Sequence, residues 1–201
     1  DTDVERSFIP REGGIYLYAI NIRPDSTELL ELIDIIDTDD FGGVAGWDSS
    51  SKAYLGNAHM TRSYELNAYR LLITEQTKGL FVVDFEWKVG SPELTIKNID
   101  FIDLPKLLEE NGYHMPYDAR FEAITVSSTE YERDHGWENQ TILVTTGRFH
   151  TFQIGLIIDG HGNVVHLALE RVFLRYAGYH VQNYIKHHND YFVISHIAPQ
   201  T

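Results

Sequence analysis

The chain contains no cysteine. That excludes disulfides, zinc–thiolate sites, iron–sulfur clusters and cysteine nucleophiles together. It leaves the compartment open, because secreted domains with large cores need no disulfide. Cations are scarce: 16 Lys and Arg stand against 30 Asp and Glu, for a net charge of −14. Such a chain repels nucleic-acid phosphates and anionic membrane faces. No basic patch with interleaved aromatics appears, so no nucleic acid is expected as a partner. No run approaches the ~20 apolar residues of a membrane span. The P-loop, G-x-G-x-x-G, G-x-S-x-G and HExxH patterns are all missing. Internal repeats, low-complexity tracts and linkers are not apparent, which predicts a single domain over 1–201. The chain opens on DTDVERSF, as a processed or trimmed protein would.

What is present points to β-structure. Aromatic residues make up 12% of the chain, and β-branched runs recur. In LFVVDFEWKV (80–89), Val83, Phe85 and Trp87 alternate with Asp84, Glu86 and Lys88, which predicts a half-buried strand. ELTIKNI follows after Gly90-Ser91-Pro92, so the two form a hairpin. FEAITVSS (121–128), TILVTT (141–146) and NDYFVISHI (189–197) are further strands. One helix is clear, over 103–113: Asp103 suits the N-cap, Pro105 the first turn and Gly112 the stop. The run 25–36 reads equally as helix or strand.

HTFQIGLIIDGHGNVVHLAL (150–169) holds three histidines, an aspartate and paired glycines, as a reactive loop would. Yet Phe152, Ile154, Leu156 and Ile158 share one strand face, and Val165, Leu167 and Leu169 share another beyond the bend. Two strands joined by Asp159–Asn163 make a hairpin, and the glycines serve its turn. The expected fold is mainly β, an antiparallel sandwich or barrel-like domain with one or two short helices.

Residues 80–197 resemble a NIDO domain, the extracellular module of nidogen, alpha-tectorin and some membrane mucins. The likeness rests on HTFQIGLIIDGHGNVVHLAL against that family's NTFQ…DG hairpin, and on AGYHVQ…NDYFVI (177–194) against its closing segment. VDFEWKVGSPELTIKNID with LPKLL, and EAITVSSTEY, match in the same order. The resemblance implies a single secreted, NIDO-like β-rich module that works in adhesion or matrix assembly without catalytic residues.

Several side-chain groups remain candidates for chemistry. His150 and His166 could share a polar face, with His161 at the hairpin tip too distant to join them. DTDDFGGVAGWD (37–48) partly matches a calcium loop, with Asp37, Asp39, Asp40 and Asp48 as ligands, although Phe41 occupies a ligand position. A solvated acidic turn is the simpler reading. Asp84 and Glu86 are spaced like a glycosidase pair, but Lys88 beside them suggests an ordinary solvated face. Asn139-Gln140-Thr141 is a glycosylation sequon. Phe173, Tyr176, Tyr179 and Tyr184 suit an interface or a ligand pocket. The expected function is extracellular binding, to other extracellular proteins or to itself. The alternative is a secreted carrier of a hydrophobic small molecule, a lipid or pigment, in an aromatic-lined cavity.

Overall fold

The structure, a computed structural model, describes residues 15–20, 30–36, 38–48, 53–63, 68–88, 91, 93–115, 119–146, 150–174, 180–187 and 191–197. These residues are mainly β, in antiparallel sheets with one short α-helix, a sandwich-like arrangement. The strands are β1 (Ile15–Ile20), β2 (Leu30–Ile36), β3 (Leu55–Ser63), β4 (Ala68–Glu75), β5 (Gly79–Glu86) and β6 (Thr95–Asp103). After α1 (Leu104–Glu110) come β7 (Phe121–Glu132), β8 (Trp137–Thr146), β9 (His150–Ile158), β10 (Val164–Leu174), β11 (His180–His187) and β12 (Tyr191–Ile197). An inner sheet runs β3-β4-β5-β6 and an outer sheet β10-β9-β8-β7; β1–β2 and β11–β12 are separate two-stranded pieces.

The inner sheet is covered on both faces. Toward the outer sheet, Leu72, Leu80, Val82 and Ile102 pack with Phe121, Ile142, Val144, Phe152, Ile154 and Leu156, and α1 adds Leu104, Leu107 and Leu108. On the opposite face Leu71, Ile73, Phe81, Val83 and Phe85 pack with Ile36, Phe41, Trp47 and the inward residues Ile15 and Leu17 of β1. The seven residues from Gly79 to Phe85 are therefore all buried. A strand enclosed on both sides loses the alternation that marks a half-exposed one. The half-solvated strand expected over 80–89 is in fact central, and Asp84 is buried with its neighbours.

The ambiguous run 25–36 becomes strand from Leu30 on, while 25–29 lie outside the described residues. Helical spacing would bury Leu32 and Ile36 together. Instead Leu32 is 47% exposed and Ile36 only 1%. The helix at 103–113 is as expected: the Asp103 carboxylate accepts from the Lys106 N–H, and Gly112 takes φ +79 beyond the last turn.

The 150–169 hairpin is also as expected, with one difference. A bulge between Val164 and His166 shifts the register. Val164, Leu167 and Leu169 consequently all pack on the core, while Val165 is 51% exposed. An extra residue in one strand reverses which side chains face inward beyond it.

Candidate functional site

The two sheets are joined by buried charge. Arg70 on β4 lies directly across from Asp84 on β5. Its guanidinium donates two parallel hydrogen bonds, Nε to Asp84 Oδ1 at 2.7 Å and Nη2 to Oδ2 at 2.8 Å. Its third arm crosses to the outer sheet, where Nη1 donates to Glu138 Oε2 at 2.7 Å. Ser63 Oγ donates to Glu138 Oε1 at 3.1 Å. All four residues are buried. The fork of a guanidinium suits this task, since it binds one carboxylate edge-on and still reaches another.

One cation faces two carboxylates here. Burial pushes the Asp84 carboxyl above its ordinary value; the hydrogen bond and charge of Arg70 oppose that rise, and the charge of Glu138 adds to it. The native state thus holds this proton more tightly than the unfolded chain. Asp84's contribution to stability falls as pH climbs from the ordinary carboxylate value to the raised one.

The Asp159–Asn163 turn docks on this cluster. Asp159 Oδ1 accepts from the backbone N–H of His161 and Asn163, each at 2.9 Å, and Gly162 has φ +90. Partial burial pushes the Asp159 carboxyl up, but bonds from the Asn163 side chain and from the Asn163 and His161 backbone hold it below the ordinary value. The Gly162 carbonyl accepts from Asn98 Nδ2 at 2.9 Å. A Cβ at Gly162 would collide with Asp84 Oδ2 and crowd Asn98. The DGHG turn is thus a structural plug, fitted against the charge cluster.

A second device recurs. Asp100 on β6 accepts the N–H of Phe101 at its Oδ1, at 2.8 Å, and the N–H of Val164 at its Oδ2, at 2.7 Å. Asp34 on β2 does the same, taking the N–H of Ile35 at 2.8 Å and of Leu94 at 3.1 Å. Each carboxylate clips one sheet to the start of an edge strand in the next. The sequence carries a trace of this, since Ile-Asp-Ile-Ile-Asp (33–37) and Ile-Asp-Phe-Ile-Asp (99–103) share a pattern. That short echo is the one departure from a chain without repeats. Asparagine can keep only one of the two bonds, so Asp100→Asn is expected to cost about 1 kcal/mol in urea unfolding. An unchanged midpoint would show that the clip contributes nothing.

The buried Glu75 is similarly occupied. The Glu75 carboxylate accepts backbone N–H groups from Tyr54, Thr77 and Lys78 and shapes the β4–β5 turn. Gln140 differs: both its amide atoms are buried without a hydrogen-bond partner among the described residues. An unmet buried amide is costly, so the near-isosteric Gln140→Met is expected to stabilise the fold by about 1 kcal/mol. A lower midpoint in the same urea assay would contradict this.

The sequence candidates fall out differently. Asp84 and Glu86 are separated by environment: Asp84 belongs to the buried cluster, and Glu86 Oε2 pairs with Lys97 Nζ at 3.0 Å at the surface. The solvated face expected for both holds only for Glu86. His150 pairs across from Leu174 and His166 from Ile157, so they sit at opposite ends of the hairpin and share no site. Residues meet in a hairpin when they are equally far from its tip, and these two are not.

Asp37 lies outside the described residues. Asp39 and Asp40 are exposed in a 3-10 turn (Thr38–Phe41), and Asp48 is exposed beyond it. The loop is organised by aromatics. Phe41 stacks on Phe81 at 3.9 Å, and Trp47 meets Phe81 and Phe101 edge-on. Among the described residues, no three His, Asp or Glu side chains are grouped to hold a metal ion. Asn139 is half-buried in β8, paired with Glu130 and Ile157. Phe173 is exposed under the Arg171 guanidinium. Tyr176 and Tyr179 lie outside the described residues, as does the side chain of Tyr184.

One concave surface lies where the sandwich is open. β3 runs beside β7 and closes one side. On the other side, β6 and β10 are the outermost strands of their sheets, clipped together at one end by Asp100. Between them and α1 is a groove of about 360 Å³, lined by Asp100–Asp103, Lys106, Leu107, Glu110 and Val164–Leu167. Ile102 and Leu107 are buried in its floor; Asp103, Lys106, Glu110, Val165 and His166 are exposed at its rim. Among the described residues no helix is long and apolar enough to cross a membrane. Comparison with family models, with curated proteins and with solved structures gives no match.

Proposed function

We propose that the chain is a secreted, non-catalytic binding or matrix-assembly module of NIDO type. It recognises extracellular proteins at the groove between β6, α1 and β10. The observation that carries this reading is the groove itself, a surface with an apolar floor and a charged rim between two sheet edges. Specific sites combine such floors with a few placed polar groups. The interior carboxylates support recognition over catalysis, because Asp84, Glu138 and Glu75 are engaged by donors of the fold itself. Secretion and a glycan on Asn139 belong to the same reading. The carrier reading finds less support, since large side chains fill the space between the sheets.

A pool of random heptapeptides passed over the immobilised full chain tests the groove. Peptides should be retained, with retention about tenfold weaker in Val165→Lys and unchanged in Tyr16→Ser, which alters an exposed tyrosine of β1. No retention, or retention indifferent to Val165→Lys, overturns the proposal.

A further inference from the structure

Resting on that reading, we propose that the groove takes an extended, positively charged peptide segment, which adds as a strand to the edge of β10. β10 has 11 residues and, among the described residues, a partner strand on one side only, β9. Alternate backbone N–H and C=O groups of such an edge point outward, ready to pair with another chain. Extended peptides commonly bind this way: main-chain hydrogen bonds supply affinity and pockets for alternate side chains supply specificity.

The groove supplies those pockets. Val164, Leu167, Ile102 and Leu107 form an apolar floor beside the edge. Above it stand three carboxylates, Asp100, Asp103 and Glu110, against the one ammonium of Lys106. Asp100 is committed to backbone N–H groups, and Asp103 Oδ1 to the helix cap. Glu110 makes no hydrogen bond or ion pair among the described residues. The local balance is negative and so is the whole chain, at −14. A strand alternating apolar and basic side chains therefore matches both floor and rim, and long-range attraction speeds its approach. An anionic lipid surface or a nucleic acid would be repelled.

The geometry also limits the segment's length. The ladder between β10 and β9 is regular from His166 to Leu169, with a register shift on either side. Shifts of this kind twist an edge away from further pairing. The Asp100 clip closes the groove at Val164. Strand addition is thus confined to a short stretch, in keeping with a groove of about 360 Å³.

Three labelled heptapeptides test this on the full chain by fluorescence anisotropy: one alternating lysine with valine, its glutamate counterpart, and the lysine peptide N-methylated on alternate backbone nitrogens. The lysine peptide should bind about tenfold more tightly than the glutamate one at about 0.01 M salt, the difference shrinking at about 0.15 M. N-methylation should weaken it about tenfold, and Glu110→Lys about threefold. Equal binding of the glutamate or N-methylated peptide overturns this inference, while the random-pool result still stands for the groove. Self-association of the chain through β10, seen as a dimer mass by light scattering and lost in Val165→Lys, would assign the edge to a second copy and overturn it too.

Discussion

Arg70→Met is expected to remove about 3–5 kcal/mol of folding stability at neutral pH. A domain of this kind has about 5–15 kcal/mol in all, so the variant would stand near the edge of folding. The loss comes from what is left behind. Asp84 and Glu138 would remain wholly buried, facing each other across the sheets without their shared cation. Their pH behaviour separates this cause from simple loss of packing. Without Arg70, nothing would oppose the rise that burial imposes on the Asp84 carboxyl, so the native state would take up its proton first. The deficit should therefore shrink as pH falls through that raised range. A packing defect would give the same deficit at every pH. The triple variant Arg70→Met, Asp84→Leu, Glu138→Leu should recover most of the loss, because replacing a whole buried ion cluster with apolar groups is far cheaper than orphaning part of it. Urea unfolding across pH reads all of this. A small, pH-independent loss in the single variant would contradict the role given to the cluster.

Gly162→Ala should be the next most damaging change. Its φ of +90 lies in the left-handed region, where alanine costs about 1–3 kcal/mol. The new methyl would also strike Asp84 Oδ2, which the Arg70 fork prevents from swinging aside. Gly43 is the internal comparison: its φ is +82, yet a Cβ there meets nothing within 4 Å. Gly43→Ala thus reports the backbone cost alone. The excess for Gly162→Ala measures the fit of the hairpin tip against the cluster. That excess should shrink in an Asp84→Ala background to the smaller part due to Asn98, a coupling that a double-mutant cycle isolates. Equal costs at the two glycines would mean that the tip does not press on Asp84.

Much of this fold can be seen in the sequence wherever a local signal marks an element. The 150–169 hairpin shows alternation about a turn, β7, β8 and β12 are rich in β-branched or aromatic residues, and the helix carries its cap at Asp103. β4 carries none, because from Arg70 to Glu75 both its faces are buried, so AYRLLITE has no alternation to find. Without β4 the sequence shows no partner for Asp84, and a charge within an apolar strand reads as a mark of solvent. The pairing follows once the Gln76–Lys78 turn is recognised, since Arg70 and Asp84 are equidistant from it. β3 was hidden for a different reason. LGNAHMTRS, at an edge, is too polar and glycine-containing to read as a strand. Glu138 and Asp100 needed the third dimension, because their partners are 68 and 64 residues away. The groove was beyond sequence patterns altogether, since it joins β6, α1 and β10 through the stacking of two sheets.

Amide hydrogen exchange of the full chain, with and without a retained peptide, tests most directly whether recognition happens at the open side of the sandwich. Slower exchange confined to 95–110 and 164–174 is the predicted footprint. Protection over the exposed Tyr16, Tyr18 and Leu32 face of the β1–β2 hairpin instead, with β6, α1 and β10 unchanged, would contradict it.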